Sequence, residues 1–416
     1  MAGDSAVRSA SDDRAARPRL GRDFGKLWGA FAASNLGDGI ALAAGPLLVA
    51  SLTDDPALIS GAAAVQQLPW LLFSLISGAY VDRLDRRKLI IVVNILRAAV
   101  IAGLAVAVWT GHVTVALVYV AFFLVGVAET FADNAGSAMI PAVVDKDLLP
   151  RANARLSAVH MVGNLMIAPP VGAAVFVVAA SLPFGINAVG FLVAAALMAS
   201  IRYRPEPVKV VERRPLRVEI AEGLRWLWAH RLVRVLAVCL CLMNITFFGP
   251  FSILVLYSRE HLGLPEIGFG ALLAASAVGG LLGTAAVSRL QKRLGDGALL
   301  RIGLVVETAT HFALALTSDA WLAGATLVVF GAHGAIWGVV SMSVRHRVVP
   351  DRLRGRVGSV YYLLVIGGAA IGSLLGGLTA KAWGVTAPFW LAGSAMVVMT
   401  VFAWRHFSTS AFAEED

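Results

Sequence analysis

Few residues in this sequence could do chemistry, and most of them stand where charge is costly. Asp38 lies in "SNLGDGIALAAGPLLVASL", residues 34–52, and from Phe24 to Leu52 the only other ionisable side chain is Lys26. An acid at the centre of a hydrocarbon layer costs roughly 2.5–3.5 kcal/mol on insertion scales. Such a carboxyl can be neutral when closed in and ionised when water or a cation reaches it. That behaviour suits a proton carrier or a counter-charge for a cation, and a structural acid bonded to a neighbouring helix would read the same way. Asn35 precedes Asp38 by one helical turn and shares its face.

Glu129 and Asp133 are spaced i, i+4, so a helix presents both carboxyls on one face. Two interacting acids titrate as a pair, which makes them a candidate proton-coupling site; alternatively, Asp133 pairs with a loop arginine such as Arg151. Glu307 and His311 have the same spacing and read as a self-satisfied structural pair. His333 has the chemistry to relay a proton or stack on a ring, or it is a structural histidine. Asn244, Phe247, Phe248, Trp337 and Tyr361 supply amide and aromatic surface for an apolar compound, as lipid-facing aromatic residues also would. Cys239 and Cys241 have no His, Asp or third Cys beside them and read as buried spectators, with no metal expected. "GRDFGKL" lacks the spacing and the hydroxyl of a phosphate loop, and no HEXXH, aspartate-rich pair or Ser-His-Asp set occurs, so an ATP-driven pump and a membrane-embedded enzyme are not expected.

The elements that must position these groups are set by composition. The chain has 416 residues, 58% of them hydrophobic and 15% charged, with a mean hydropathy of +0.77. Soluble domains carry about 25% charged residues, so this is an integral membrane protein. The net charge of +9 does not signal nucleic acid, because the basic residues sit between apolar runs. The first 23 residues are polar and Arg-rich without a signal-peptide apolar core, so no cleaved segment is expected.

Runs of about 20 apolar residues number twelve: 24–51, 57–80, 89–109, 113–135, 152–178 and 182–202, then 232–257, 266–289, 298–317, 320–343, 356–380 and 384–405. All are expected to be helices, since backbone groups in lipid must be satisfied within the segment. Alternate connections, with the tails and adjacent helix ends, hold all but two of the 35 Lys and Arg, the exceptions being Arg259 and Lys381. By the positive-inside rule both termini are cytoplasmic. This gives a polar tail (1–23), a six-helix bundle (24–202), a linker (203–231), a second six-helix bundle (232–405) and a tail (406–416). Within the linker, "LRVEIAEGLRWLWAHRLVR" has the apolar spacing of an interfacial helix.

The halves resemble each other. At an offset of 205 residues Gly78 meets Gly283, Leu148 meets Leu353, Arg151 meets Arg356, and Gly163 and Gly172 meet Gly368 and Gly377. Parallel repeats of this kind enclose a central site between them.

Twelve spans in two halves, with "GAYVDRLDRRK" after the second, resemble the major facilitator superfamily. Gly78, Asp82, Arg83, Arg86 and Arg87 match its signature loop, whereas Asp85 stands where a second glycine is usual. "NLGDGIALAAGPLLVASLT", "AETFADNAGSAMIPAVV" and "VVPDRLRGRVGS" resemble its enterobactin-exporter and macrolide-efflux branch. The resemblance implies an all-α fold of two six-helix bundles, a monomer, and a central cavity lined by spans 1, 4, 7 and 10. Asn35, Asp38, Glu129, Asp133, Asn244, Phe247, His333 and Trp337 all fall on those spans. It also implies that the signature loop is a cytoplasmic gate, although its charges could equally be positive-inside determinants. "APPVGA", residues 168–173, partly resembles the Gly-Pro motif of antiporters.

The expected function is secondary active export of an amphipathic small molecule across the cell (inner or plasma) membrane, driven by a proton gradient without a cofactor. An importer, a lipid or siderophore carrier, and a non-transporting sensor use the same frame.

Overall fold

A computed structural model describes residues 20–81, 84–202 and 216–407. Among the described residues every regular element is helical. The first half comprises α1 (Arg22–Leu52), α2 (Pro56–Val81), α3 (Arg86–Trp109) and α4 (Val115–Val143). Then α5 (Leu149–Ala158) runs through a π-helical stretch, Val159–Ile167, into α6 (Ala168–Val178), and α7 (Leu182–Ala199) follows. In the second half come α8 (Leu216–Ala229), α9 (Arg231–Ser252), the short α10 (Leu254–Leu256), α11 (Glu266–Leu316), α12 (Ala320–Val348), α13 (Arg354–Trp383) and α14 (Ala387–Ala403).

Among the described residues ten helices are long and apolar enough to cross a membrane, where the sequence leads one to expect twelve spans. The difference has two sources. The 51 residues of α11 would reach about 75 Å as one rod, more than twice a bilayer core. Gly295, at φ 77°, breaks the helical geometry within it; a left-handed backbone there favours glycine. The apolar α14 is only 17 residues long.

Large apolar side chains cover the outside of the bundle, among them Trp109, Trp321 and Trp383, which are 79%, 88% and 71% exposed. These three stand at the end of α3, the start of α12 and the end of α13, so they share one end of the bundle. Exposed tryptophans banded at helix ends are what a membrane–water interface selects.

The halves pack as copies do. A Cβ added to Gly172 would lie 2.9 Å from the Ile40 Cα, and one added to Gly372 would lie 2.9 Å from the Ile245 Cα. Ile40 and Ile245 are 205 residues apart (245 − 40), so α6 crosses α1 as α13 crosses α9. The glycine partners are 200 apart (372 − 172), so Gly372 is the counterpart of Gly172. Gly377, which the 205-residue offset paired with Gly172, instead meets Pro56 and Ser60 of α2. Glycine at these crossings lets backbones touch. Between halves, α2 packs on α13 and α6 on α11.

The signature loop is partly described. Asp85, where the resemblance expects glycine, caps α3: its carboxylate accepts the Lys88 backbone N–H at 3.1 Å. Asp at this position satisfies an orphan donor at the helix start. Arg87 Nε donates to the Met198 carbonyl at 3.1 Å and its Nη2 to that of Ala199, and Arg86 Nη1 donates to the Ala138 carbonyl at 3.2 Å. These carbonyls lie near the C-terminal ends of α7 and α4, which attract cations. Gly78 lies within α2, and Asp82 and Arg83 fall outside the described residues.

Candidate functional site

Arg97 is the group that organises the first half. It is the twelfth residue of α3 (97 − 86 + 1), in the middle of an apolar helix. It does not belong among the basic residues of connections and helix ends, and the distribution of Lys and Arg has a third exception beside Arg259 and Lys381. Its Nη2 lies 3.1 Å from both Asp38 carboxylate oxygens, and its Nη1 lies 3.5 Å from Ser34 Oγ. The guanidinium sits 4.0 Å above the Phe191 ring of α7. Its side chain is 2% exposed, so the pair is a buried one, and its Nε has no hydrogen-bond partner. The structural reading of Asp38, an acid bonded to a neighbouring helix, describes its position in this conformation.

α1 approaches α5–α7 through glycines. Gly37 stands against Asn187 of α7, and Gly39 against Asn164 of the π-helical stretch. Asn164 Nδ2 donates to the Asn35 carbonyl at 2.8 Å, and His160 Nδ1 lies 3.2 Å from Asn35 Oδ1. Asn35 is therefore held by α5–α6 and shares no bond with Asp38. The wide π turn at 159–167 is a common device at functional sites.

Glu129 and Asp133 on α4 feel the charges of Arg97 and Asp38. Among the described residues neither makes a side-chain hydrogen bond or an ion pair, and none joins Asp133 to Arg151. Asp133 is exposed and Glu129 half-buried. One guanidinium therefore serves three carboxyls, of which it bonds one.

In the second half, His333 Nε2 lies 2.7 Å from Glu307 Oε2, and His311 Nε2 lies 3.6 Å from Glu307 Oε1. All three residues are buried. Glu307 thus bridges α11 to α12 in addition to facing its helical neighbour. Phe330 stacks on Phe247 with centroids 5.3 Å apart and lies 6.0 Å from the His333 ring. Trp337 is 2% exposed within the second half's core, its Nε1 donating to the Leu300 carbonyl at 3.3 Å. Asn244 Nδ2 bonds its own helix at the Leu240 carbonyl, 2.8 Å away. His333 and Trp337, expected to line a cavity, are enclosed in packing between α11 and α12.

A cavity of about 520 Å³ lies beside these residues, between α9, α11, α12 and α13. Its wall includes Tyr362, which contacts Trp70 of α2 at 6.4 Å between ring centroids and feels the charges of Asp133 and Glu129. The cavity therefore adjoins the acidic face of α4 in the other half.

At the opposite end the halves are tied by ions. Arg259 Nη2 lies 2.9 Å from Asp54 Oδ1, and Lys381 Nζ lies 2.6 Å from Asp55 Oδ2. These are the two basic residues that the sequence places on the side opposite the other connections, and each reaches the α1–α2 connection. The Lys381 ammonium, then the Ala57 backbone N–H, outweigh desolvation and hold the Asp55 carboxyl below the usual carboxylate range.

The profile of the family described as transmembrane secretion effector matches residues 17–416. Among curated proteins, the chain is 27% identical to the multidrug efflux pump Tap of Mycolicibacterium fortuitum, covering 88% of this chain and 91% of that protein. It is 24% identical to the enterobactin exporter EntS of Shigella boydii, over 74% and 73% of the two chains. Among solved structures, a variant of the nucleoside transporter NupG superposes with a TM-score of 0.80 at 11% identity, covering 92% of this chain and 99% of that one. A bacterial homologue of the iron transporter ferroportin, in an inward-facing state, superposes at 0.74 with 17% identity, covering 94% and 100%.

Proposed function

Because the chain belongs to the transmembrane secretion effector family, within the major facilitator superfamily of transporters, we propose that it exports an amphipathic small molecule in exchange for protons. The observation that carries this reading is the set of three carboxyls around one buried guanidinium: Asp38 bonded to Arg97, with Glu129 and Asp133 unpaired beside a cavity. Fully ionised, the set holds one positive charge against three negative ones, and neighbouring like charges disfavour one another's ionisation. Proton uptake by the set relieves that imbalance. A change of partner by Arg97 when the cavity changes the side it faces reverses it. The two efflux relatives support the outward direction.

Dividing α11 at Gly295 and counting α14 as a crossing gives twelve spans in two six-helix bundles, with both termini on the cytoplasmic side of the cell membrane. The Arg259–Asp54 and Lys381–Asp55 ties then close the outer end while the cavity faces the cytoplasm. Alternating access breaks these ties and closes the inner end through the signature loop. A proton moving down 100 mV supplies about 2.3 kcal/mol, so the cycle needs no nucleotide or cofactor. A single chain contains both halves of the pathway, and the working unit is a monomer.

The test is proton movement in everted vesicles with a pH-sensitive dye and a panel of antibiotics, dyes and siderophores. Substrate-triggered proton release that depends on this chain supports exchange; substrate flux with no proton movement contradicts it.

A further inference from the structure

We infer that Arg345 forms an anion subsite in the cavity, so that the transported compound carries an acidic group on an apolar or aromatic body. This rests on the transport reading above and adds the chemical class of the cargo.

Arg345 lies near the C-terminal end of α12 and is the only charged side chain on the wall of the cavity among the described residues. Its guanidinium is 4.4 Å above the Tyr361 ring. Tyr361 is itself buried and fixed, its hydroxyl 3.2 Å from Ser341 Oγ. The ring therefore holds the guanidinium by a cation–π contact and leaves its N–H donors undirected. Among the described residues no carboxylate stands within ion-pair distance of Arg345, and its guanidinium makes no hydrogen bond. Its neighbours Arg347 and Arg354 differ: Arg347 pairs with Asp296, and Arg354 lies 2.8 Å from Asp351.

Apart from the hydroxyls of Thr284 and Ser341, the rest of the wall is glycine, apolar or aromatic, including Leu240, Val339, Met342 and Tyr362. A planar fork of donors at the edge of such a cavity matches a carboxylate, an acidic phenol or a sulfonate. Tyr362, on the same wall, feels the negative charges of Glu129 and Asp133 of α4, so an anion is attracted toward Arg345 and repelled from the Tyr362 side. That asymmetry orients an amphipathic anion with its acidic group at Arg345.

The test uses the purified full-length chain in detergent and the pair 1-pyrenebutyrate and its methyl ester. Tryptophan-to-pyrene energy transfer reads binding, Trp70 being in contact with the cavity wall. The wild type is expected to bind the acid about tenfold more tightly than the ester, the scale of a charge-assisted hydrogen bond. Arg345→Gln abolishes that preference while ester binding stays unchanged, and Arg345→Lys keeps part of it. Equal binding of acid and ester by the wild type overturns the inference, as does a preference that survives in Arg345→Gln. So does failure of the wild type to bind either probe, or equal loss of both in a folded Arg345→Gln protein. Binding is read without a gradient, so failed proton exchange with an intact acid preference counts against the transport reading alone.

Discussion

Arg97 Nη2 of α3 lies 3.1 Å from both oxygens of Asp38 on α1, in a site that closes over the guanidinium to 2% exposure. Breaking a buried pair by removing one charge leaves the other uncompensated, at a cost of about 3–5 kcal/mol. Asp38→Asn is therefore expected to lower stability strongly, and Asp38→Asn with Arg97→Gln to recover most of the loss. Thermal unfolding in detergent compares the three proteins. A double variant no more stable than the single one would mean the pair is not what holds α1 to α3.

The unpaired acids of α4 make the opposite prediction. Glu129 and Asp133 make no side-chain bonds among the described residues, so Glu129→Gln and Asp133→Asn should change stability by less than about 0.5 kcal/mol. They should nevertheless weaken proton-coupled flux. Measuring flux at matched protein levels separates the two effects, since a structural role would lower protein yield and flux together.

At the other end, the Lys381–Asp55 tie gives a pH dependence. The Lys381 ammonium and the Ala57 N–H hold the Asp55 carboxyl below its ordinary value. A lowered value in the closed state means the tie is complete above the ordinary carboxylate range and is lost as pH falls through the lowered value. Distances between spin labels on the α1–α2 connection and the end of α13 should stay short from neutral pH through pH 5. They should lengthen only in stronger acid. Asp55→Asn should lengthen them at neutral pH, and an unchanged distance there would remove the tie from the gate.

Glu307 joins α11 to α12 through His333 at 2.7 Å, in a site where all three polar residues are buried. Glu307→Ala leaves His333 without its hydrogen-bond partner and opens a cavity, and it should cost about 2–4 kcal/mol. Glu307→Gln retains an acceptor oxygen and should cost less. Scanning fluorimetry on both variants checks the order.

The legible part of this protein was its periodicity and composition. Apolar runs between basic connections identify helices in a membrane, and the repeat appears in three dimensions as Ile40 and Ile245 meeting glycine partners. Those partners, Gly172 and Gly372, are 200 residues apart, and the alignment of Gly172 with Gly377 does not hold. The acids of α1 and α4 stood out because a carboxylate in an apolar run is conspicuous. Arg97 was equally conspicuous as the lone cation of the 89–109 run, yet a loop-and-end tally of basic residues absorbed it. Its depth within the run was the signal that would have exposed it. The Glu307–His333 bond joins residues 26 positions apart on two helices, and no sequence spacing encodes such a contact. Asp85 looked like a defect in a glycine-bearing loop because its capping bond to Lys88 depends on local backbone geometry. The break at Gly295 was hidden among many glycines, since only its backbone angle distinguishes it.

The central claim is that protons moving through the Arg97 cluster drive export. Its most direct test is substrate-triggered proton release in everted vesicles, comparing wild type with the Glu129→Gln, Asp133→Asn double variant at matched membrane levels. The account predicts release in the wild type and little or none in the variant, while the variant still binds the same compound. Equal release by both proteins would place coupling elsewhere and contradict it.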